Sequence, residues 1–218
     1  MRLVVPPGVF RPRSDTWMLA ELVHREDRIP GADVLDLCSG SGALAVAAAR
    51  AGARTVTAVD VSRRSTMAAR VNGMLNRARV QPLRGDLFEP LGDRRYDVIV
   101  SNPPYLPSND DDPPSNGPER AWDAGSDGRA LLDRVAAGAV DHLRQGGVLL
   151  LVQSSICGVD RTLQALEGHD LVAEVVERRR GQLGPLLSER AEELEQRGLI
   201  QLGEREEYLV AIRALMPL

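Results

Sequence analysis

The sequence predicts a doubly wound, Rossmann-like α/β fold with a mostly parallel seven-stranded sheet and an antiparallel C-terminal strand. Short apolar runs alternate with helical patterns along the chain, an order typical of a parallel sheet covered by helices on both faces. The continuously apolar run at 148–152 is typical of a strand buried on both sides. A glycine-rich loop follows the first predicted strand, where sheets of this kind bind their ligands.

The elements follow from local signals taken in chain order. The first strand, 34–37, leads into the glycine-rich loop, and an alanine-rich helix follows at 43–50 with Gly52 as its C-terminal cap. Ser62 is a suitable N-cap for a helix that extends to Asn76. The other strands are predicted at 55–59, 80–84, 96–100, 148–152, 171–177 and 208–212, and the other helices at 16–24, 128–143, 160–166 and 189–197.

We expect residues 1–218 to form one domain, because the length fits a single unit and no internal repeat or second boundary is visible. The segment 1–30 precedes the first strand and is expected to cap the sheet edge with its short helix. A stretch rich in Pro, Asp, Ser and Asn at 107–120 predicts a loop.

Composition narrows the classes of function. The net charge is −4, which argues against a fold-wide basic face for nucleic acid. The two cysteines, Cys38 and Cys157, exclude a disulfide scaffold and a four-cysteine zinc site, and no metal site is predicted. No apolar run is long enough for a bilayer and the first residues lack the pattern of a secretory signal, so we expect no membrane contact and a cytoplasmic location.

Three aspartates stand at successive strand ends beside the glycine-rich loop. Asp60 is suited to a ribose diol, Asp86 to the amino group of an adenine, and Asp36 to an ammonium group, directly or through water. Gly40 and Gly42 would allow a ligand to approach the backbone closely. Together they favour S-adenosylmethionine over a dinucleotide, whose pyrophosphate Asp36 would repel. Each aspartate alone is also compatible with a helix cap or a turn.

The strand at 96–100 runs directly into Asn-Pro-Pro-Tyr, which predicts a clamp for a planar nitrogen group. The side-chain oxygen of Asn102 can accept one N–H, and the carbonyl of Pro103 can accept the other. Pro103 and Pro104 fix their φ angles and add no competing donor, so the carbonyl is held rigidly. Tyr105 can stack on a flat amide. The alternative is an Asn-Pro turn that only ends the strand.

These motifs resemble those of the HemK/PrmC family of glutamine methyltransferases, class I enzymes that use S-adenosylmethionine. The matching segments are VLDLCSGSG (34–42), AVD (58–60), GDLFEPL (85–91), DVIVSNPPYLP (97–107), PRSDT (12–16) and AWDAGSDGRALLD (121–133). The resemblance implies a catalytic and substrate clamp at Asn102, Pro103, Pro104 and Tyr105. It implies cofactor contacts from Thr16, Asp36, Cys38, Gly40, Gly42, Asp60, Asp86, Leu87 and Asn102.

The resemblance also implies a substrate, the glutamine of the Gly-Gly-Gln loop in peptide-chain release factors. The chain is expected to be a short form without the helical N-terminal domain of longer members. Some short members bind a small zinc-containing activator subunit, which makes such a subunit a candidate partner. The alternatives are an N-methyltransferase acting on adenine amino groups in nucleic acid or on a small molecule, and an NAD-type oxidoreductase.

Overall fold

A computed structural model describes residues 1–218 and contains one seven-stranded sheet. Its strands are β1 (Asp33–Leu37), β2 (Thr55–Asp60), β3 (Val80–Arg84), β4 (Tyr96–Ser101), β5 (Leu143–Ser154), β6 (Val172–Gln182) and β7 (Glu206–Leu215). Their order across the sheet is β3-β2-β1-β4-β5-β7-β6. The strands from β1 to β5 pair in parallel, and β7 is antiparallel to both of its neighbours. The predicted sheet and its antiparallel C-terminal strand are confirmed.

Helices cover both faces of this sheet because successive strand residues point to opposite sides. In β4, Val98 belongs to one apolar core and the adjacent Ile99 to the other. The helices are α1 (Ser14–Arg25), α2 (Ala43–Arg50), α3 (Arg63–Leu75), α4 (Ala130–His142), α5 (Val159–Glu167), α6 (Pro185–Glu189) and α7 (Ala191–Gln196). Helices α1 and α2 pack into the core of Val98, whereas α4 and α5 pack into that of Ile99. None of the helices has both the length and the apolar character needed to traverse a bilayer.

Helix α1 does not cap the sheet edge as the sequence led us to expect. Its residues Met18, Leu19 and Val23 are fully buried in the same core as Val98 and Val148, which lie on the central strands β4 and β5. An edge position would have left this apolar face partly in water, and burying a large aliphatic side chain contributes about 1.5–3 kcal/mol. The helix therefore lies across the middle of one face, and its first turn lies beside the end of β4.

The residues before α1, 2–13, include a turn at 7–9 and are held by two asparagines, one in α3 and one at its C-cap. The Asn72 side chain accepts from the Val4 N–H (2.7 Å) and donates to the Val4 carbonyl (2.9 Å). Asn76 makes the same pair of bonds with the backbone of Arg2, at 2.9 and 2.6 Å. Each amide thus satisfies the backbone N–H and carbonyl of one residue, as a neighbouring strand would. The N-terminal segment then runs towards the carboxyl ends of the sheet.

The helix predicted at 189–197 is confirmed as α7, and a second short helix, α6, comes before it and ends at Glu189. Arg190 separates them with a backbone conformation outside the helical range (φ −98°, ψ 3°). Its guanidinium bonds to the Asp123 carboxylate and to the Pro107 carbonyl, at 2.6 and 2.7 Å. The two helices sit in an insertion between β6 and β7, residues 183–205, which has a small apolar core of its own.

Gly42 is required by packing within the fold. It has a left-handed backbone (φ +76°), and a Cβ at this position would lie 2.8 Å from both Cα and Cβ of Ala69 in α3. The close approach that the glycine permits is therefore between the glycine-rich loop and α3. The sequence had attributed it to a ligand.

We predict that Gly42→Ala lowers the free energy of unfolding by about 2–5 kcal/mol, which combines the left-handed backbone penalty with overpacking against Ala69. Gly31→Ala is the matched control, because Gly31 has nearly the same φ (+78°) and no atom within 4 Å of the added Cβ. It should lose only the backbone part, about 1–2 kcal/mol. Urea unfolding of both variants measures the difference, and equal losses would contradict the packing role.

Candidate active site

One large cavity, about 1160 Å³, lies at the carboxyl ends of β1, β2, β3 and β4. Its walls include the N-terminal segment and part of the insertion between β6 and β7. A single small-molecule site typically occupies about 300–1,000 Å³, so this cavity has room for a second reactant. The predicted site residues that line it are Thr16, Cys38, Gly40, Asp60, Asp86, Leu87, Asn102, Pro103, Pro104 and Tyr105.

Asp36 and Gly42 are not among the residues that line the cavity. Asp36 is completely buried behind the glycine-rich loop, where one carboxyl oxygen accepts the Ala45 N–H at 2.8 Å and the other has no partner. Burial raises the pKa of Asp36 to about 8, and the nearby charge of Asp60 adds to the effect. Its visible role is to hold the first turn of α2 to the end of β1.

Asp60 joins the glycine-rich loop to the start of α3 and also lines the cavity. One carboxylate oxygen accepts the Gly40 N–H and the other accepts the Ser62 N–H, both at 2.8 Å. Burial raises the pKa of this carboxyl group. A carboxylate has about four lone-pair sites, so both oxygens can still accept hydroxyl protons from a ligand. The turn-forming and ligand-binding roles weighed from the sequence are therefore compatible.

Two non-glycine residues on the cavity wall have left-handed backbones, Cys38 (φ +56°) and Leu87 (φ +48°). This conformation costs about 1–2 kcal/mol for a residue with a side chain, and such costs are concentrated at functional sites. Burial, with the charges of Asp60 and other carboxylates, raises the pKa of the Cys38 thiol well above its ordinary value. The thiol is therefore neutral at physiological pH, in agreement with a contact rather than a nucleophilic role.

Asp86 forms an ion pair with Arg134 of α4, with an N–O distance of 2.9 Å. The Asp86 side chain is about 39% exposed, so the pair contributes little to stability, in the range of about 0–1 kcal/mol. Sequence reasoning missed Arg134, and no local signal marks it, because helix packing alone brings α4 over the loop after β3.

The Asn-Pro-Pro-Tyr segment is tied to the start of α1. The Asn102 side-chain nitrogen donates to the hydroxyl of Thr16 at 3.1 Å. The Tyr105 hydroxyl donates to the carboxylate of Asp15 at 2.8 Å, and burial raises the pKa of Tyr105 well above its ordinary value. Asp15 was missed by the sequence reasoning, although it lies within the PRSDT segment, where an acidic residue beside Thr16 could have drawn attention.

The loop after this segment is held by the β6–β7 insertion. Arg190 forms an ion pair with the nearly buried Asp123, and Arg197 donates to the Ser108 carbonyl at 2.9 Å. The predicted loop at 107–120 has one 3₁₀ turn at its end, Pro118–Ala121. No group of three or more His, Cys, Asp and Glu side chains has an arrangement suited to a metal ion.

Comparison with known proteins identifies the family. Residues 1–113 match the family model described as the methyltransferase small domain. The chain belongs to the methyltransferase small domain family. This assignment decides against the oxidoreductase alternative and, together with the curated relatives described next, confirms the HemK/PrmC-like, class I methyltransferase interpretation.

Curated relatives of this methyltransferase have names that refer to glutamine methylation. A Methanocaldococcus jannaschii protein, named provisionally as a protein N5-glutamine methyltransferase, is 33% identical over 77% of this chain and 83% of its own length. The release factor glutamine methyltransferase of Geobacter sulfurreducens is 40% identical over 68% of this chain and 54% of its own length. That of Gloeobacter violaceus is 40% identical over 69% and 56%. The chain spans about half the length of these last two enzymes.

Solved structures with the same fold are also methyltransferases. The Mtq2–Trm112 complex of E. cuniculi, described as responsible for methylation of the termination factor eRF1, aligns with a TM-score of 0.64 and 24% identity over 95% of this chain and 98% of the matched chain. A T. thermophilus 16S rRNA methyltransferase in complex with AdoMet and guanosine aligns at 0.60 and 24% over 94% and 45%. At these identities the alignments show the shared fold.

The raised pKa of Asp36 makes the stability of the methyltransferase depend on pH. The folded state holds the proton with a pKa of about 8, against an ordinary value of 3.8, so this group stabilises the fold fully below 3.8 and loses its contribution as the pH rises through 8. Asp36→Asn resembles the protonated form and does not titrate. Urea unfolding at pH 6 and pH 9 should therefore show wild type losing stability relative to this variant.

The control for this measurement is Asp27→Asn, because Asp27 is an exposed aspartate on the same protein. Wild type and Asp27→Asn should change in parallel between the two pH values. A wild type that gains stability relative to Asp36→Asn at pH 9 would contradict the assigned direction of the pKa shift.

Proposed function

We propose that the protein transfers a methyl group from S-adenosylmethionine to the side-chain amide nitrogen of a glutamine. The observation that carries this proposal is the orientation of Asn102. Its NH2 group donates to Thr16 at 3.1 Å, which leaves the amide oxygen available as an acceptor, and both Asn102 and Pro103 line the cavity. Two neighbouring acceptors match the two N–H groups of a primary amide.

The cavity residues fit the proposed cofactor. Asp60 has unused lone pairs for the ribose hydroxyls, and Gly40 has no heavy atom closer than 4.0 Å to an added Cβ, so its surface is open to a ligand. Asp86 and Leu87 would hold the adenine, and Thr16 and Cys38 would contribute further contacts. When bound, the cofactor supplies an electrophilic methyl group. Asp36 would act indirectly, by fixing the loop that carries Gly40.

The chain's own residues act on the acceptor. An amide nitrogen is a weak nucleophile, because its lone pair is delocalised into the carbonyl. Asn102 and Pro103 would accept its two N–H groups and hold the nitrogen in one direction, and such positioning lowers the barrier by avoiding the entropy cost of orientation. The same two oxygens would stabilise positive charge that develops on the nitrogen. Tyr105 and Pro104 would shape the slot for the flat group.

We further propose that the acceptor glutamine belongs to the Gly-Gly-Gln loop of a peptide-chain release factor, which places the enzyme in the cytoplasm. The names of two relatives that are 40% identical, both release factor glutamine methyltransferases, support this substrate, and the name of the 33% identical relative supports a protein glutamine. The Mtq2–Trm112 complex, whose matched chain is covered to 98%, supports a second protein as a partner, for which the family resemblance implies a small zinc-containing activator subunit. Activity is therefore to be measured both with the protein alone and after co-expression with such a subunit.

The substrate is tested by incubation with isotopically labelled S-adenosylmethionine and, separately, a release factor, total RNA and a metabolite extract. We expect one methyl group on the glutamine of the Gly-Gly-Gln loop, located by mass spectrometry of proteolytic fragments. Label in the RNA or the metabolite fraction without label in the release factor would overturn the proposed substrate and favour an amino methyltransferase of the other kind.

Asn102→Ala should lower turnover by about 100-fold, as the removal of one aimed polar group at a transition state does, while cofactor affinity stays close to wild type. Asn109→Ala is the control, since Asn109 is exposed in the following loop and does not line the cavity. Single-turnover rates and calorimetric titration of the cofactor give the two quantities. Unchanged turnover in Asn102→Ala would refute the clamp.

Asp60→Ala should weaken cofactor binding by at least about tenfold, because hydrogen bonds to a charged group contribute about 1.5–3 kcal/mol each. Asp93→Ala, at an exposed aspartate outside the cavity, is the control. The dissociation constants come from titration with the cofactor, and the unfolding midpoints show whether each variant is folded. A well-folded Asp60→Ala variant with wild-type affinity would count against the ribose contact.

A further inference from the structure

Asp15 is a buried carboxylate beside the proposed clamp that the mechanism above does not use. It is only 5% exposed, and both of its oxygens accept hydrogen bonds. One oxygen accepts from the Thr16 N–H at 2.6 Å and from the Thr16 hydroxyl at 3.2 Å. The other accepts from the Tyr105 hydroxyl at 2.8 Å. Asp15 thus contacts both ends of the Asn-Pro-Pro-Tyr segment, directly or through one residue.

The direction of these hydrogen bonds follows from the chemistry of the groups. A carboxylate only accepts, so the hydroxyl protons of Thr16 and Tyr105 both point to Asp15. The Thr16 oxygen then has only lone pairs to offer to Asn102. The Asn102 amide must therefore turn its NH2 group to Thr16, at 3.1 Å, and its oxygen away from it.

We propose that Asp15 is a positioning residue that sets the orientation of the Asn102 amide through Thr16 and holds Tyr105 in place. The proposal rests on the function proposed above, since it explains why the acceptor atom of Asn102 faces the substrate. Asp15 acts in this proposal through its hydrogen bonds to Thr16 and Tyr105. Without it, the Asn102 amide could turn by half a rotation. Asp15 therefore determines that the amide oxygen, and not the NH2 group, faces the cavity.

The loss of Asp15 would make the amide orientation ambiguous. Without its acceptor, the Thr16 hydroxyl is free to donate to the Asn102 oxygen, and a half-turn of the amide would then direct the NH2 group into the cavity. The NH2 group of Asn102 would then face the NH2 group of the substrate glutamine. Both groups are hydrogen-bond donors, so Asn102 could no longer accept an N–H from the substrate. The Tyr105 hydroxyl would at the same time lose its buried partner, which is costly for a group removed from water.

Variants separate the two arms of this network. Thr16→Val removes the hydroxyl and breaks the arm to Asn102, whereas Thr16→Ser keeps it. Asp15→Asn retains an oxygen for the Thr16 N–H and places an NH2 group where Tyr105 donates, so it disturbs the other arm. Asp15→Ala breaks both. Glu26→Gln is the matched control, because Glu26 is a buried carboxylate at the opposite end of α1, ion-paired with Arg213 and absent from the cavity wall.

Two measurements are made on each folded variant. The first is the methylation rate and KM with the release factor. We expect kcat to fall by at least about tenfold in Asp15→Ala and Thr16→Val, with a smaller change in KM. The reason is that a wrongly oriented Asn102 amide no longer holds the substrate nitrogen in the geometry that the reaction needs. Thr16→Ser should recover most of the rate, and Glu26→Gln should keep a wild-type kcat even where it lowers stability.

The second measurement needs no activity. Hydrogen exchange of the Asn102 side-chain NH2, followed by NMR, should be slow in wild type and in Thr16→Ser, and faster in Asp15→Ala and Thr16→Val. Wild-type kcat or unchanged exchange in Asp15→Ala would overturn the positioning role. Absence of methylation by wild type, with the exchange pattern intact, would overturn the proposed function and leave the hydrogen-bond network established.

Discussion

The placement of the proposed clamp depends on the burial of strand β4 in the middle of the sheet. Val98, Ile99 and Val100 are fully buried, and the strand pairs with β1 on one side and β5 on the other. Its last residue, Ser101, also donates its hydroxyl to the Leu37 carbonyl at 3.2 Å. Because β4 is held in place on both sides, the residue directly after it, Asn102, has a fixed position. The two prolines then limit the backbone that follows.

The aspartates at the strand ends show that one residue type serves different purposes according to burial. Asp36 is sealed inside and holds a helix start, Asp60 is shared between two backbone N–H groups and the cavity, and Asp86 is half in water beside Arg134. Their depth decreases from the centre of the sheet towards its edge. A ligand in the cavity therefore meets only the outer two of these carboxylates, Asp60 and the more hydrated Asp86.

Much of the fold and part of the site could be predicted because the signals are local. The Ser62 cap, the glycine-rich loop and the strand before Asn102 are each encoded within a few neighbouring residues. The missed contacts join distant parts of the chain. Asp15 meets Tyr105, and Asp123 meets Arg190, only because helices and loops from distant parts of the chain pack together on the sheet. Such contacts depend on the order of the strands in the sheet, and the patterns in a single sequence do not reveal that order.

The predicted position of α1 at the sheet edge was wrong for a related reason. Its apolar residues indicate that one face is buried but not which part of the sheet covers it. The packing role of Gly42 was likewise not visible in the sequence, since only the packed structure shows Ala69 against it.

The Cys38 thiol on the cavity wall is a group whose chemical modification can be followed. Thiolates rather than thiols attack maleimides and similar alkylating reagents, and the raised pKa of Cys38 keeps its thiolate population small, so modification is slow. Cys157 is buried against the Tyr105 carbonyl and is shielded further. Any molecule that fills the cavity covers Cys38, so the rate of alkylation reports occupancy without requiring that the methyl acceptor be known.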